Sequence, residues 1–286
     1  MSIQFKNVSY IYGENSPYET IALKDVSFEI ADGEFIGCIG HTGSGKSTLM
    51  QLMNGLLKPT SGDIIVDGIS ITSPNIKLSD IRKRIGLVFQ YPEYQLFEET
   101  IYADVAYGPK NLACTEAEIE ERVKYALEAV HIDVESAKKT SPFDLSGGQK
   151  RRAAIAGVLA MMPKVLILDE PTAGLDPAGH NEILSLITRE HKKQSRITIL
   201  VSHSMDDVAK YVDKILVLGG GEVKYFDRPM NVFTHRKELE KMGLDVPLAT
   251  KIIDRLHEND IPIDGGIMDI DTLGHALSNY LRSKND

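Results

Sequence analysis

The sequence predicts an α/β fold. It has a parallel sheet flanked by helices, an antiparallel β subdomain at the start, a helical insertion in the middle and a small C-terminal extension. Three observations predict it. Near-continuous apolar runs of strand length occur at residues 85–89, 165–168, 197–201 and 215–218, as expected of strands covered on both faces. A glycine-rich loop, Gly40-His41-Thr42-Gly43-Ser44-Gly45-Lys46-Ser47, follows an apolar strand and precedes a helix starting near Lys46. Between Gln90 and Pro163 the periodicity changes from strand-like to helical.

Taken in order, residues 3–8, 26–30 and 35–40 read as antiparallel strands, separated by turn signals at Gly13, Pro17 and Asp32-Gly33. In the insertion, Thr115 and Glu118 form a capping-box pattern. Ile119, Val123, Leu127 and Val130 then recur at helical spacing. A further helix is predicted over 149–161. A third region starts near Lys237, with a helix over 247–259, a turn at Gly265-Gly266 and a last helix carrying Leu273, Leu277, Tyr280 and Leu281. The expected division is 1–235 for the main unit, with the insertion at about 91–162, and 236–286 for the extension. There is no internal repeat or low-complexity tract.

The 286 residues suffice for a large core. A formal net charge of -9 argues against broad nucleic-acid binding, so no nucleic acid is expected as partner. Cys38 and Cys114 are the only cysteines and read as free thiols of a reducing compartment. The start, Met1-Ser2-Ile3-Gln4-Phe5-Lys6, has no leader pattern, and no apolar run approaches the roughly 18 residues that span a bilayer. A membrane role is therefore expected to come through a partner.

The loop from Gly40 to Ser47 matches the phosphate-binding pattern G-x-x-x-x-G-K-S. Its glycines let backbone N–H groups close around phosphate oxygens, and the helix N-terminus adds positive partial charge. Gly40, His41, Thr42, Gly43, Ser44, Gly45, Lys46, Ser47 and the following Thr48 are the candidate ATP contacts. Lys46 is expected at the β- and γ-phosphates and Ser47 on Mg²⁺. The run 165–168 delivers Asp169 to the metal, and Glu170 stands where a carboxylate can polarise an attacking water. Leu145-Ser146-Gly147-Gly148-Gln149 lies between these two motifs. Ser146 and Gln149 satisfy a capping box, so the segment opens an ordinary capped helix. The same exposed N–H groups suit a phosphate arriving from another subunit. Lys150, Arg151 and Arg152 read as flanking and interface charges.

Together these motifs resemble an ATP-binding cassette ATPase, from the first residues to Phe233. The resemblance implies a RecA-like core and a dimer in which Ser146, Gly147, Gly148 and Gln149 face the partner's nucleotide. It implies that Gln90 touches Mg²⁺ or water, that Asp176 lies at the dimer seam and that His203 is the switch histidine on the γ-phosphate. Either Tyr12 or Tyr10 stacks on adenine, with Tyr12 the preferred choice. The expected catalytic set is Glu170, His203, Lys46 and Gln90, the metal set Ser47, Gln90 and Asp169, and the cofactors ATP and Mg²⁺.

The segments Phe89-Gln90-Tyr91-Pro92-Glu93-Tyr94-Gln95-Leu96-Phe97-Glu98-Glu99-Thr100, Ala106-Tyr107-Gly108-Pro109 and Gly243-Leu244-Asp245-Val246-Pro247 are similar to ATPase subunits of energy-coupling factor importers, the last to their second ATPase type. That resemblance implies an unlike partner ATPase, a membrane scaffold with cytoplasmic coupling helices, and a substrate-capturing membrane subunit. It implies a peripheral position on the cytoplasmic face of the cell membrane, where the chain powers uptake of a vitamin or other micronutrient. Glu93, Glu98, Glu99 and Asp104 predict an arginine-bearing coupling helix as contact. The extension is expected to stabilise the dimer. Alternatives are a generic importer cassette and a soluble cassette protein acting on DNA or ribosomes. A kinase or GTPase would leave the Ser146–Gln149 segment unexplained, and no N-K-x-D guanine-reading segment occurs.

Overall fold

In the computed structural model, which describes residues 1–285, the chain opens with an antiparallel pair, β1 (Ile3–Tyr12) and β2 (Thr20–Ile30). Ile3, Phe5 and Val8 of β1 and Leu23, Val26, Phe28 and Ile30 of β2 are buried, and the Phe5 and Phe28 rings stack at 4.6 Å. β3 (Phe35–Ile39) leads through the glycine-rich loop into α1 (Lys46–Met53). β4 (Ser61–Val66) and β5 (Ile69–Ser70) then complete a four-stranded antiparallel sheet of order β2-β1-β4-β5.

After α2 (Leu78–Arg82), β6 (Ile85–Val88) enters a second sheet, and the insertion follows as α3 (Ile101–Asn111), α4 (Glu116–Ala129), α5 (Val134–Ala137) and α6 (Gly147–Leu159). The Thr115–Glu118 capping box forms, and Ile119, Val123, Leu127 and Val130 are buried as their spacing requires. The chain returns through β7 (Val165–Asp169), α7 (Pro177–Gln194), β8 (Ile197–Val201), α8 (Met205–Tyr211), β9 (Lys214–Gly219) and β10 (Glu222–Asp227). The second sheet has the order β10-β9-β3-β8-β7-β6, parallel except for β10. Four helices finish the chain: α9 (Pro229–Phe233), α10 (Arg236–Lys241), α11 (Leu248–Glu258) and α12 (Ile270–Asn285).

Alternation along the parallel strands divides the core into two. Ile36, Cys38, Val165, Ile167, Ile197, Ile199, Leu216 and Leu218 pack with α1 and the antiparallel sheet. Phe35, Ile39, Leu166, Leu168, Leu200, Ile215 and Val217 pack on the other face with the inserted helices and α7. Leu239, Leu244 and Val246 belong to this second cluster, whereas Ala249, Ile253, Ile263 and Leu273 form a small core of their own.

Residues 35–40, expected with the antiparallel strands, instead form β3 in the centre of the parallel sheet, between β8 and β9. All five β3 residues are buried, so this short apolar run carries the two-sided signature of the other parallel strands, despite lying early in the chain. Sequence patterning does not single out β4, β5, β10, α7 or α8.

Candidate active site

The loop between β3 and α1 takes its shape from two glycines. Gly43 has φ +80° and Gly45 φ +102°, and a Cβ on Gly45 would stand 2.6 Å from the Ala22 carbonyl oxygen. No side chain caps α1 and no acid occupies its first turn, so its N-terminal N–H groups and positive dipole end are free for an anion. Ser44 is fully buried, and its Oγ has no hydrogen-bond partner in the protein. Lys46 Nζ donates to the carbonyl oxygens of Gly40 (2.6 Å) and His41 (3.0 Å). This donor set, cationic and rich in N–H groups, fits polyphosphate.

At the C-terminal ends of neighbouring strands, Asp169 closes β7, His203 follows β8 and Gln90 follows β6. Glu170 has φ +49°, a left-handed backbone that non-glycine residues seldom adopt, and its N–H is held by the Val201 carbonyl at 3.1 Å. Its side chain is bracketed. Gln90 Nε2 donates to Oε2 at 3.0 Å, and His203 Nε2 lies 2.8 Å from Oε1. Burial, then the adjacent Glu170 charge, pushes the Asp169 carboxyl above its ordinary range. Lys46, the Ser47 hydroxyl and His203 pull the other way. Under the same floor, burial drives the Cys38 thiol up to about 12, against the pull of Lys46 and with the push of Asp169. Cys38 is therefore an inert core residue.

One cavity of about 510 Å³ gathers Lys46, Ser47, Gln90, Asp169, Glu170 and His203. Tyr12, Thr42, Gly43, Gly45 and Thr48 also line it, whereas Gly40, His41 and Ser44 of the same loop do not. Tyr12 is 41% exposed, with its hydroxyl 3.2 Å from Thr48 Oγ1. Tyr10 packs against the core beside it, edge-on at 4.8 Å, and does not line the cavity.

Five predicted residues lie elsewhere. Ser146 caps α6, with the full Ser146–Gln149 box formed, and a Cβ on Gly147 or Gly148 would meet nothing within 4 Å. Asp176 is exposed and caps α7, accepting from the Gly179 N–H at 2.9 Å. None of these five residues lines the cavity.

Two sequence expectations fail here. Arg151 is not a flanking charge: it is 2% exposed, its Nε and Nη2 donate to Glu93 at 3.0 and 2.6 Å, and its Nη1 donates to the Pro171 and Ala173 carbonyls. Glu93 is therefore not part of an outward acidic surface. Burial pushes its carboxyl up, but the Arg151 hydrogen bonds outweigh this and hold it below the ordinary range. Asp104 also turns inward, accepting from the Phe97 and Glu98 N–H groups, because the segment 97–100 needs its free donors satisfied. Glu99 is exposed and Glu98 half-buried, and Tyr94, Phe97 and Tyr107 of the same region are exposed. Arg151 thus ties α6 to the segments after Gln90 and Glu170. A basic residue two places beyond Gln149 was its only signal in the sequence.

The ABC transporter family profile matches residues 23–173. An energy-coupling factor transporter ATP-binding protein of Caldanaerobacter subterraneus subsp. tengcongensis is 55% identical over 282 residues, 99% of this chain and 98% of its own length. Among solved structures, cbiO1 from Clostridium perfringens, described as part of the ABC transporter complex cbiONQ, superposes with TM-score 0.73 at 41% identity. The match covers 84% of this chain and 93% of that one. The dimeric cassette MJ0796, bound to ADP and phosphate in a post-hydrolysis state, superposes with TM-score 0.69 at 30% identity over 79% of this chain and 98% of its own. With the phosphate loop, the capped helix α6 and the acidic strand end in one α/β core, the chain belongs to the ABC transporter family, among the energy-coupling factor transporter ATP-binding proteins.

Proposed function

We propose that this chain is one of two cassettes that close over ATP and, by hydrolysing it, drive an energy-coupling factor importer of a vitamin or other micronutrient. The observation that carries the reading is the convergence of Lys46, Ser47, Gln90, Asp169, Glu170 and His203 on one cavity beside the open N-terminus of α1.

In this reading Tyr12 stacks on adenine, because it and not Tyr10 faces the cavity. The loop N–H groups and Lys46 hold the phosphates. Ser47, Asp169 and Gln90 are the residues that would hold Mg²⁺, which supplies charge neutralisation at the phosphate oxygens. The raised Asp169 carboxyl fits that role, since a cation there relieves the repulsion from Glu170. Glu170 accepts the proton of the attacking water as its oxygen bonds to the γ-phosphorus and ADP leaves. Gln90 and His203 keep its two oxygens oriented. Ser146, Gly147, Gly148 and Gln149 serve the partner's nucleotide, and Asp176 lies at the seam. Their exposure and open glycines support this.

The partners in this reading are a second, unlike cassette ATPase, a membrane scaffold and a substrate-capturing membrane subunit. No helix among the described residues is long and apolar enough to cross a membrane. A peripheral place on the cytoplasmic face, reached through the scaffold, follows from the reading. The docking contact is the face with Glu98, Glu99, Tyr94, Phe97 and Tyr107, next to a cavity of about 170 Å³ between α3 and α6. The extension from 236 is assigned to dimer stabilisation.

The test is Glu170→Gln. It should bind ATP normally and lose about 10²–10⁴ in turnover, because an amide cannot take the proton. Hydrolysis at the wild-type rate would remove Glu170 as base. Reversing Glu98 and Glu99 to lysine should lower co-purification of membrane subunits from solubilised membranes, and unchanged recovery would reject the docking face.

A further inference from the structure

Two loops of the proposed site end in helices that touch each other away from the cavity. Asp176 caps α7, and one turn on the His180 N–H donates to the Asp176 carbonyl at 2.9 Å. His203 precedes α8, whose cap Ser204 accepts from the Asp207 N–H at 3.2 Å. Across the gap, His180 Nε2 lies 3.0 Å from both oxygens of Asp207. The Asp207 side chain is 13% exposed, and its Oδ2 is buried with no other donor. Among the described residues, His180 is the only His, Lys or Arg side chain paired with this carboxylate.

We propose that His180 is a positioning residue for ATP hydrolysis. Through Asp207 it fixes the loop carrying His203 relative to the loop carrying Asp176, so that a partner closing on Asp176 adjusts the hold of His203 on Glu170. The inference rests on the reading of His203, Glu170 and Asp176 given above. The path is short: Asp176 and His180 are one turn apart, as are His203 and Asp207, and His203 is in direct contact with Glu170. A positioning role and a scaffolding one have separate readouts. Removing the partner of the buried Asp207 Oδ2 costs stability, which Tm reads, whereas a small displacement of a group orienting the base costs up to about 10²-fold in rate, which kcat reads. The other side of α8 is held independently. Asp206 Oδ1 accepts from the Leu248 N–H at 2.9 Å, and Lys210 lies 3.8 Å from Asp271. Losing the His180 contact therefore leaves α8 docked but shifts how it is set.

The experiment uses the full chain in its purified transporter complex. His180→Leu should lower kcat about ten-fold, with KM for ATP within about two-fold, at an assay temperature well below the Tm of the variant. His180→Arg, which can also pair with Asp207, should recover most of that loss. Asp207→Asn keeps the shape, removes the charge and should reproduce the drop even if the leucine variant does not assemble. Asp206→Asn, with the same charge change on the same helix and its acceptor retained, should leave kcat unchanged. A wild-type kcat in His180→Leu and Asp207→Asn, or a loss that tracks Tm and is not recovered by arginine, overturns the proposal. Glu170→Gln separates the two levels. If it is inactive while His180→Leu is unimpaired, only the positioning role falls; if it turns over normally, the underlying reading of the site falls.

Discussion

Asp169 is held in a state that the folded protein by itself disfavours. Its carboxyl is raised by burial first and by Glu170 second, so the folded chain binds a proton there more tightly than the unfolded chain does. Stability from this group therefore falls as pH rises from the ordinary value of 3.8 through the raised folded one, and the full cost is present at neutral pH. Asp169→Asn should then raise the Tm of the nucleotide-free chain at neutral pH, by an amount corresponding to about 0.5–2 kcal/mol. The gain should vanish below the ordinary carboxylate value, where aspartate is protonated in both states. The same variant should lose the extra Tm that Mg²⁺ with ATP gives the wild-type chain. Thermal melts across pH, with and without Mg²⁺ and ATP, read all three effects. A nucleotide-free Tm below wild type at pH 7 would contradict the account. Glu93 has the opposite sign: its lowered carboxyl contributes stability above the ordinary range, lost as pH falls through the folded value.

At the scale of elements, helix α6 serves two ends. Its body, with Ala153, Ile155, Ala156 and Leu159, is core, while its first turn is open, with nothing near a Cβ at Gly147 or Gly148. Nothing in this chain needs glycine at 148. Alanine there should leave Tm unchanged or raise it, since alanine is the better helix former by up to about 1 kcal/mol. If α6 faces a partner's phosphate, the added methyl should abolish the ATP-dependent dimer. Light scattering in a Glu170→Gln background measures this, and a dimer of unchanged affinity would detach Gly148 from phosphate contact. The contrast between stability and assembly explains what was legible in the sequence. The phosphate loop, Asp169-Glu170 and the Ser146 cap are local patterns, each readable within about ten residues. The Arg151–Glu93 pair joins positions 58 apart, and its charges taken singly look like surface charges. The place of β3 depends on partners β8 and β9 more than 150 residues away, which no local period encodes. Pairing at that distance is a property of the folded sheet, so patterning alone put β3 with its nearest neighbours.

For the whole molecule, the open matter is where the ATPase ends and the extension begins. The sequence divides near residue 236, but the packing continues further. Leu239, Leu244 and Val246, at 0, 7 and 3% exposure, lie in the same cluster as Val232 and Phe233. From Ala249 onward the apolar residues of α11 and α12 meet one another instead, tied back to the main unit by Asp206 at Leu248 and by Lys210 near Asp271. Two truncations should therefore differ sharply. Ending the chain at Pro247 removes the small separate core and should leave the transition cooperative, with Tm lowered by only a few degrees. Ending it at His235 also removes three buried aliphatic side chains, each worth about 1.5–3 kcal/mol, and exposes the surface they covered. That loss is a large part of the 5–15 kcal/mol typical of a folded domain, so the shorter chain should unfold at much lower denaturant or fail to accumulate. Equal denaturation midpoints for the two would place the boundary at 236. The longer truncate then gives a clean test of the extension's role: with its fold intact, any loss of pairing with the second cassette belongs to α11 and α12.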